Sequence, residues 1–319
     1  MATEAQTGDG PSVTSGMPVK EPSGSIGRRI FLGPRGIRAG WRILMFVAIF
    51  AVLGAGTNFT MHWIPAVQAW QKTLPKNGFV PSALLVREGL SVLMLMIAAL
   101  VMTKIEKKTF RDYGLPLEEA LGKRFWQGAV FGLGMVSLLM AAIASLHAFS
   151  ISGFALGGAA ALRYGVLYAI GFLLVGIFEE FSFRGYLQAT LGEGIKFWPS
   201  AIVLSVLFGA IHLRNSGEAI SGAVMAGSFG VLAAFTLWRT GSIWFAIGTH
   251  AAFDWGETYL YSVADSGFAA QGHLLRSSFH GPTWLTGGTV GPEGSVLAIL
   301  ALVSGGVAVH FLFPEKQLG

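Results

Sequence analysis

Three short stretches set ionisable side chains inside otherwise apolar sequence: Phe178-Glu179-Glu180-Phe181-Ser182-Phe183-Arg184-Gly185, Phe208-Gly209-Ala210-Ile211-His212 and His250-Ala251-Ala252-Phe253-Asp254. Such groups are costly in an apolar setting and mark a functional site by default. Glu180 and Arg184 are spaced i,i+4 and can pair along one helix face. That pairing suits a supporting role for Glu180, although spacing does not separate a helix-stabilising ion pair from direct catalysis. Glu179 projects ~100° away on the same helix and lacks an in-helix partner. A poorly solvated, unpaired carboxylate is the type of group that serves as a general base. His212 can share a water with it. His250 and Asp254, again i,i+4, can orient each other and leave an imidazole N–H to stabilise an oxyanion.

For this chemistry the groups must lie at one depth. Apolar segments at about 160–191 and 197–213 read as a helical hairpin turning near 192–197. At ~1.5 Å rise per residue, Glu179 lies roughly 20 Å and His212 roughly 22 Å from that turn. The 242–262 segment starts on the same side, which places His250 about 12 Å and Asp254 about 18 Å in. Four polar side chains from three helices therefore converge near the middle of a bundle.

Composition identifies the bundle's solvent. Of 319 residues, 53% are hydrophobic and 12% charged, and mean hydropathy is +0.60. Soluble domains carry about a quarter charged residues, so soluble enzymes, nucleic-acid binders and disordered proteins are disfavoured. The net charge of +5 fits topology signals and lipid contacts, with no nucleic-acid partner. The absence of Cys excludes disulfides, thiolate metal sites and a cysteine nucleophile. The expected fold is all-α and polytopic, with about eight transmembrane helices in one bundle, at about 41–60, 83–104, 125–147, 160–191, 197–213, 219–239, 242–262 and 291–314. No strand pattern is expected. Residues 1–40 read as a disordered cytoplasmic tail with a basic end (Arg28, Arg29, Arg35, Arg38), 41–314 as the membrane domain with its motif-bearing core at 160–262, and 315–319 as a short cytoplasmic tail. Lys104, Lys107, Lys108, Arg111, Lys123 and Arg124 crowd one short loop, so the positive-inside rule puts that loop and both termini in the cytoplasm of a cell membrane.

In order and separation, the three motifs resemble the signature of the CAAX prenyl protease and bacteriocin-processing family of intramembrane endopeptidases. That pattern is Glu-Glu-x-x-x-Arg, Phe-x-x-x-His and His-x-x-x-Asn or Asp, here Glu179-Glu180 with Arg184, Phe208 with His212, and His250 with Asp254. The resemblance covers about 160–260. The Phe110-Arg111-Asp112-Tyr113-Gly114-Leu115 stretch also resembles a loop of bacterial members. It implies that Glu179, with His212, activates water and that His250, with residue 254, stabilises the tetrahedral oxyanion. Glu180, Arg184 and Phe208 would support them. Asp254 stands where the prenyl protease commonly has Asn. An ionised carboxylate only accepts hydrogen bonds, so its role shifts toward orienting His250. The family has also been described as metallopeptidases, which would make Glu179, His212 and His250 zinc ligands. A metal-free site is preferred here, and the sequence does not decide between the two. The implied partners are a peptide or protein substrate, lipidated in the eukaryotic case, and membrane lipids. Bacteriocin maturation and self-immunity stay open, as does the oligomeric state.

Two rivals belong to other classes. A proton-coupled transporter also uses buried Glu, His and Asp, but no inverted repeat is visible. A non-catalytic immunity or scaffold protein would retain the fold without the chemistry. Elsewhere, Arg87 and Glu88 read as capping or snorkelling residues, and Glu257, His62, His147 and His310 as interfacial. The Gly-rich 153–158 stretch lacks the preceding strand of a phosphate loop.

Overall fold

A backbone placed in hydrocarbon must satisfy its own hydrogen bonds, so long apolar runs fold as helices. The computed structural model describes residues 30–34, 36–75, 80–215 and 217–314. Of the tail expected at 1–40, residues 1–29 and Arg35 lie outside the described residues, as does the tail expected at 315–319. Residues up to Arg38 form a unit of their own. In it, β1 (Leu32–Gly33) and β2 (Gly36–Ile37) pair antiparallel.

From Ala39 onward the chain is helical: α1 (Ala39–His62), α2 (Pro65–Thr73), α3 (Pro81–Glu106), α4 (Lys123–Ser145) and α5 (Gly158–Glu180). Helix α5 runs through a π-helical segment, Phe181–Leu187, into α6 (Gln188–Ile195). There follow α7 (Phe197–His212), α8 (Ile220–Thr240), α9 (Trp244–Trp255) with a π-helical end at Gly256–Leu260, the short α10 (Thr283–Thr286) and α11 (Val296–Leu312). Pro65 and Pro81 open α2 and α3, where the missing N–H costs nothing.

Among the described residues, five helical segments are long and apolar enough to cross a membrane: α1, α3, α4, the continuous 158–195 stretch and α8. The expected count of eight is thus not confirmed. Helices α7 and α11 have 16 and 17 residues. At ~1.5 Å per residue both fall short of a ~30 Å hydrocarbon layer. Helix α9 has 12 residues before its π-helical end. The apolar windows of the sequence extend past the points where these helices stop.

The expectation of no strands also needs correction. Two strands distant in sequence, β3 (Phe149–Phe154) and β4 (Leu275–Phe279), pair antiparallel with Phe149 opposite Phe279 and Phe154 opposite Leu275. Phe149-Ser150-Ile151-Ser152 does alternate apolar with polar, the period of a strand. The ladder slips between Ile151 and Gly153.

The element that positions the site is α9, wedged against α4 and α5. Its contact with α4 is backbone to backbone. A Cβ at Gly128 would stand 2.0 Å from the Phe245 carbonyl oxygen, one at Gly132 2.1 Å from that of Thr249, and one at Gly248 2.1 Å from that of Phe125. Gly209 brings α7 equally close to α8, 2.2 Å from the Ala223 oxygen. Without a hydrophobic drive between helices in lipid, such small-residue contacts are what allows tight packing. At the other end of the bundle, Arg42 of α1 binds Glu106 of α3 and Glu193 of α6, each at 2.6 Å. Tyr186 donates to Glu106 at 2.7 Å and stacks on Phe46.

Gly132→Ala should cost about 1–3 kcal/mol through overpacking, whereas Gly134→Ala, whose Cβ would meet nothing within 4 Å, should leave stability nearly unchanged. Thermal unfolding of the two purified variants in the same detergent checks this. Equal melting would show that the α4–α9 contact does not constrain the bundle.

Candidate active site

Glu179 and Glu180 end α5, immediately before the π-helical segment that carries Arg184. A π-helical turn holds one more residue than an α-turn and recurs at functional sites. Arg184 is brought back toward Glu180, with Nη1 3.4 Å from Oε1 and both side chains buried. The Arg184 guanidinium also lies over the Phe208 ring at 4.2 Å from its centroid, a favourable cation–π placement for a desolvated cation.

Glu180 has a second partner. Nδ1 of His250 lies 2.7 Å from Glu180 Oε1. A carboxylate accepts, so Nδ1–H donates, and Nε2 is left to face the reaction space. Nε2 lies 3.3 Å from Asp254 Oδ2 and 3.6 Å from Glu179 Oε2. Phe229 presents an edge-on ring contact to His250, at 5.2 Å between centroids. The i,i+4 pairing of His250 with Asp254 and of Glu180 with Arg184 thus occurs as the spacing suggested. The Glu180–His250 bond, across 70 residues, had no signal in the sequence.

On α7, Nδ1 of His212 donates to the Phe208 carbonyl oxygen at 2.8 Å. In the neutral ring Nε2 then keeps its lone pair. Phe208 therefore serves both motifs, through its ring to Arg184 and His212 and through its carbonyl to His212.

Glu179, His212, His250 and Asp254 all line one cavity of about 270 Å³. Glu179 Oε2 is buried and accepts no hydrogen bond from the protein. The same cavity is lined by Glu88, Asn215, Asp265 and Glu293, which the sequence did not bring to the site. Glu88 is buried and accepts from Arg87 Nε at 2.7 Å, so only the exposed Arg87 behaves as a snorkelling residue. Glu257, expected at the interface, is fully buried. It sits in the π-helical end of α9, beneath the loop that follows.

Among the described residues, the trio whose ligand atoms gather within 4.8 Å of one another is Glu257, Asp265 and Glu293.

Residues 161–256 match the family model described as Type II CAAX prenyl endopeptidase Rce1-like. This is the family that the three motifs resemble, and the matched stretch contains all seven motif residues. No curated protein and no solved structure matches the chain. The family match supports a membrane protease that acts on a peptide or protein.

Glu180→Ala removes the acceptor of His250 and strands the buried Arg184 cation. It should cost about 3–5 kcal/mol, while Glu180→Gln, which keeps an acceptor, should cost less. Melting curves of the two variants decide the point. Equal and small losses would mean that Glu180 holds nothing together.

Proposed function

We propose that the protein is an intramembrane endopeptidase in which Glu179 activates water to hydrolyse a peptide bond in or next to the bilayer. The observation that carries this reading is the Glu179 carboxylate, buried and without a protein hydrogen bond on Oε2, in one cavity with His212, His250 and Asp254. A general base needs a free lone pair and room for water beside it.

In this mechanism water sits between Glu179 and the Nε2 lone pair of His212. Glu179 takes a proton as the water oxygen bonds to the scissile carbonyl carbon. The resulting oxyanion is stabilised by Nε2–H of His250 in its imidazolium form, whose other N–H, on Nδ1, is held by Glu180. Asp254 steadies Nε2 and is a positioning residue. Collapse of the tetrahedral intermediate breaks the C–N bond, and Glu179 returns its proton to the leaving amine. A second, more apolar cavity of about 640 Å³ lies between α1, α2 and α3 and shares Arg87 and Phe268 with the first. It gives space for an apolar or lipidated part of the substrate. The basic loop at 104–124 is placed on the cytoplasmic face by the positive-inside rule. The Arg42 pairs with Glu106 and Glu193 join the start of α1 and the end of α6 to the end of α3, where that loop begins.

Glu179→Gln and His212→Ala should each lower cleavage of a reporter peptide by roughly 10²–10⁴-fold with melting unchanged. Full cleavage by either variant would sink the mechanism. Cleavage should also survive a zinc-selective chelator such as phenanthroline. Loss on chelation and recovery with added zinc would replace glutamate catalysis by metal catalysis on the same residues.

A further inference from the structure

Beside the proposed catalytic groups lies a second carboxylate cluster that the mechanism does not use. Glu257 projects from the π-helical end of α9, Asp265 from the loop after it and Glu293 from the turn ahead of α11. One oxygen of each lies within 4.8 Å of the others. Glu257 is completely buried, and neither of its carboxylate oxygens accepts a hydrogen bond. The Glu293 backbone amide points toward it, outside hydrogen-bond geometry.

The other two members are held in place. Ser266 donates through its backbone N–H (2.6 Å) and its hydroxyl (2.8 Å) to Glu293 Oε1. Thr258 donates to Asp265 Oδ2 at 3.0 Å. Asp265 and Phe268 exchange backbone hydrogen bonds of 3.0 and 2.8 Å across a tight turn. Gly267 occupies the left-handed region of that turn at φ +82°, and a Cβ there would meet the Gly217 backbone at 2.5 Å. The carboxylates are thus presented by elements that cannot easily swing apart. Among the described residues no Lys or Arg forms an ion pair with any of the three: Arg87, which lines the adjoining cavity, is paired with Glu88.

We infer that Glu257, Asp265 and Glu293 bind one hard divalent cation of calcium size, which ties the end of α9 to the 263–268 loop and to the turn before α11. Uncompensated buried carboxylates are strongly unfavourable, and coordination by a cation is one of the few ways to satisfy them. Oxygen-only donors select hard cations over zinc. Calcium at 2.3–2.6 Å from each oxygen spans ligand pairs up to about 5 Å apart, whereas magnesium at 2.0–2.1 Å spans only about 4.2 Å. The trio, with its ligand atoms within 4.8 Å of one another, falls inside the span that the larger ion can bridge. Asp265 and Glu293 also line the catalytic cavity, so the ion would brace that wall without touching the reacting atoms. The inference goes beyond the proposed peptidase reading and is tested by readouts other than cleavage.

The experiment uses the full chain in detergent, freed of metal with a calcium chelator. Calcium is added at millimolar concentration, and terbium is used as a luminescent probe excited through nearby Trp. The melting temperature should rise by several degrees with calcium, equilibrium dialysis should find one ion per chain, and calcium should displace terbium luminescence. Glu257→Gln and Asp265→Asn should abolish all three, while Glu179→Gln should leave them intact. No bound calcium and no melting shift in the wild-type chain would overturn the site and leave protons as the compensation for these carboxylates. Binding that survives Glu257→Gln, or that is lost with Glu179→Gln, would overturn the ligand assignment. Should Glu257→Gln fail to fold, the dialysis stoichiometry of the wild type still decides, since a value of zero is fatal.

Discussion

The hydrogen bond from His250 Nδ1 to Glu180 joins the end of α5 to the middle of α9, and the other contacts of the site are arranged around it. Glu180 is wholly buried, and a carboxylate in that position needs both a counter-charge and donors. Arg184 supplies the first and His250 the second. Arg184 is a buried cation in turn, and the Phe208 face shields one side of it. Phe208 then anchors His212 through its carbonyl oxygen. One desolvated carboxylate therefore sets the orientation of one histidine directly and the placement of the other through two intermediaries. Glu179, one residue earlier, is left without such partners on the side that faces the cavity. Neighbouring carboxylates of identical chemistry thereby acquire different duties from their surroundings.

This arrangement also depends on how closely α9 can approach its neighbours. Gly128, Gly132 and Gly248 let α4 and α9 meet at backbone distance, and Gly209 does the same for α7 and α8. These contacts carry no chemistry, yet they set where His250 and His212 stand relative to α5. In a membrane, where lipid tails compete equally for apolar side chains, close packing of small residues is the main source of such positional control.

Much of the site was legible because charge is so scarce in the spans. Glu179, Glu180, Arg184, His212, His250 and Asp254 stand out against their apolar flanks, and the constant rise of a helix is enough to put them at one depth. What escaped is what depends on contact across distant segments. Nothing in the sequence links Glu180 to His250, or Glu88, Asp265 and Glu293 to the same cavity. Glu257 looks interfacial when judged by its distance from a span end, but the loop after α9 folds back over it. The strand pair was hidden because a short apolar–polar alternation at 149–152 sits beside long helical runs, and its partner lies more than a hundred residues away. Eight spans are not confirmed for a related reason: hydropathy windows register apolar content, whereas five helices among the described residues are both apolar and long enough to cross a membrane.

The π-helical segment at Phe181–Leu187 has a meaning best put in terms of phase. An α-helix advances by about 100° per residue, and a single extra residue in one turn offsets all that follows by that angle. On one side of the offset stand Glu179, facing the cavity, and Glu180, facing Arg184 and His250. On the other stand Tyr186 and Glu193, facing the staple with Arg42 and Glu106. The two ends of this long helix serve partners in different directions, and the inserted residue reconciles them. Such a segment is tolerant of changed side chains and intolerant of changed length, so its history is expected to record substitutions and almost no gaps.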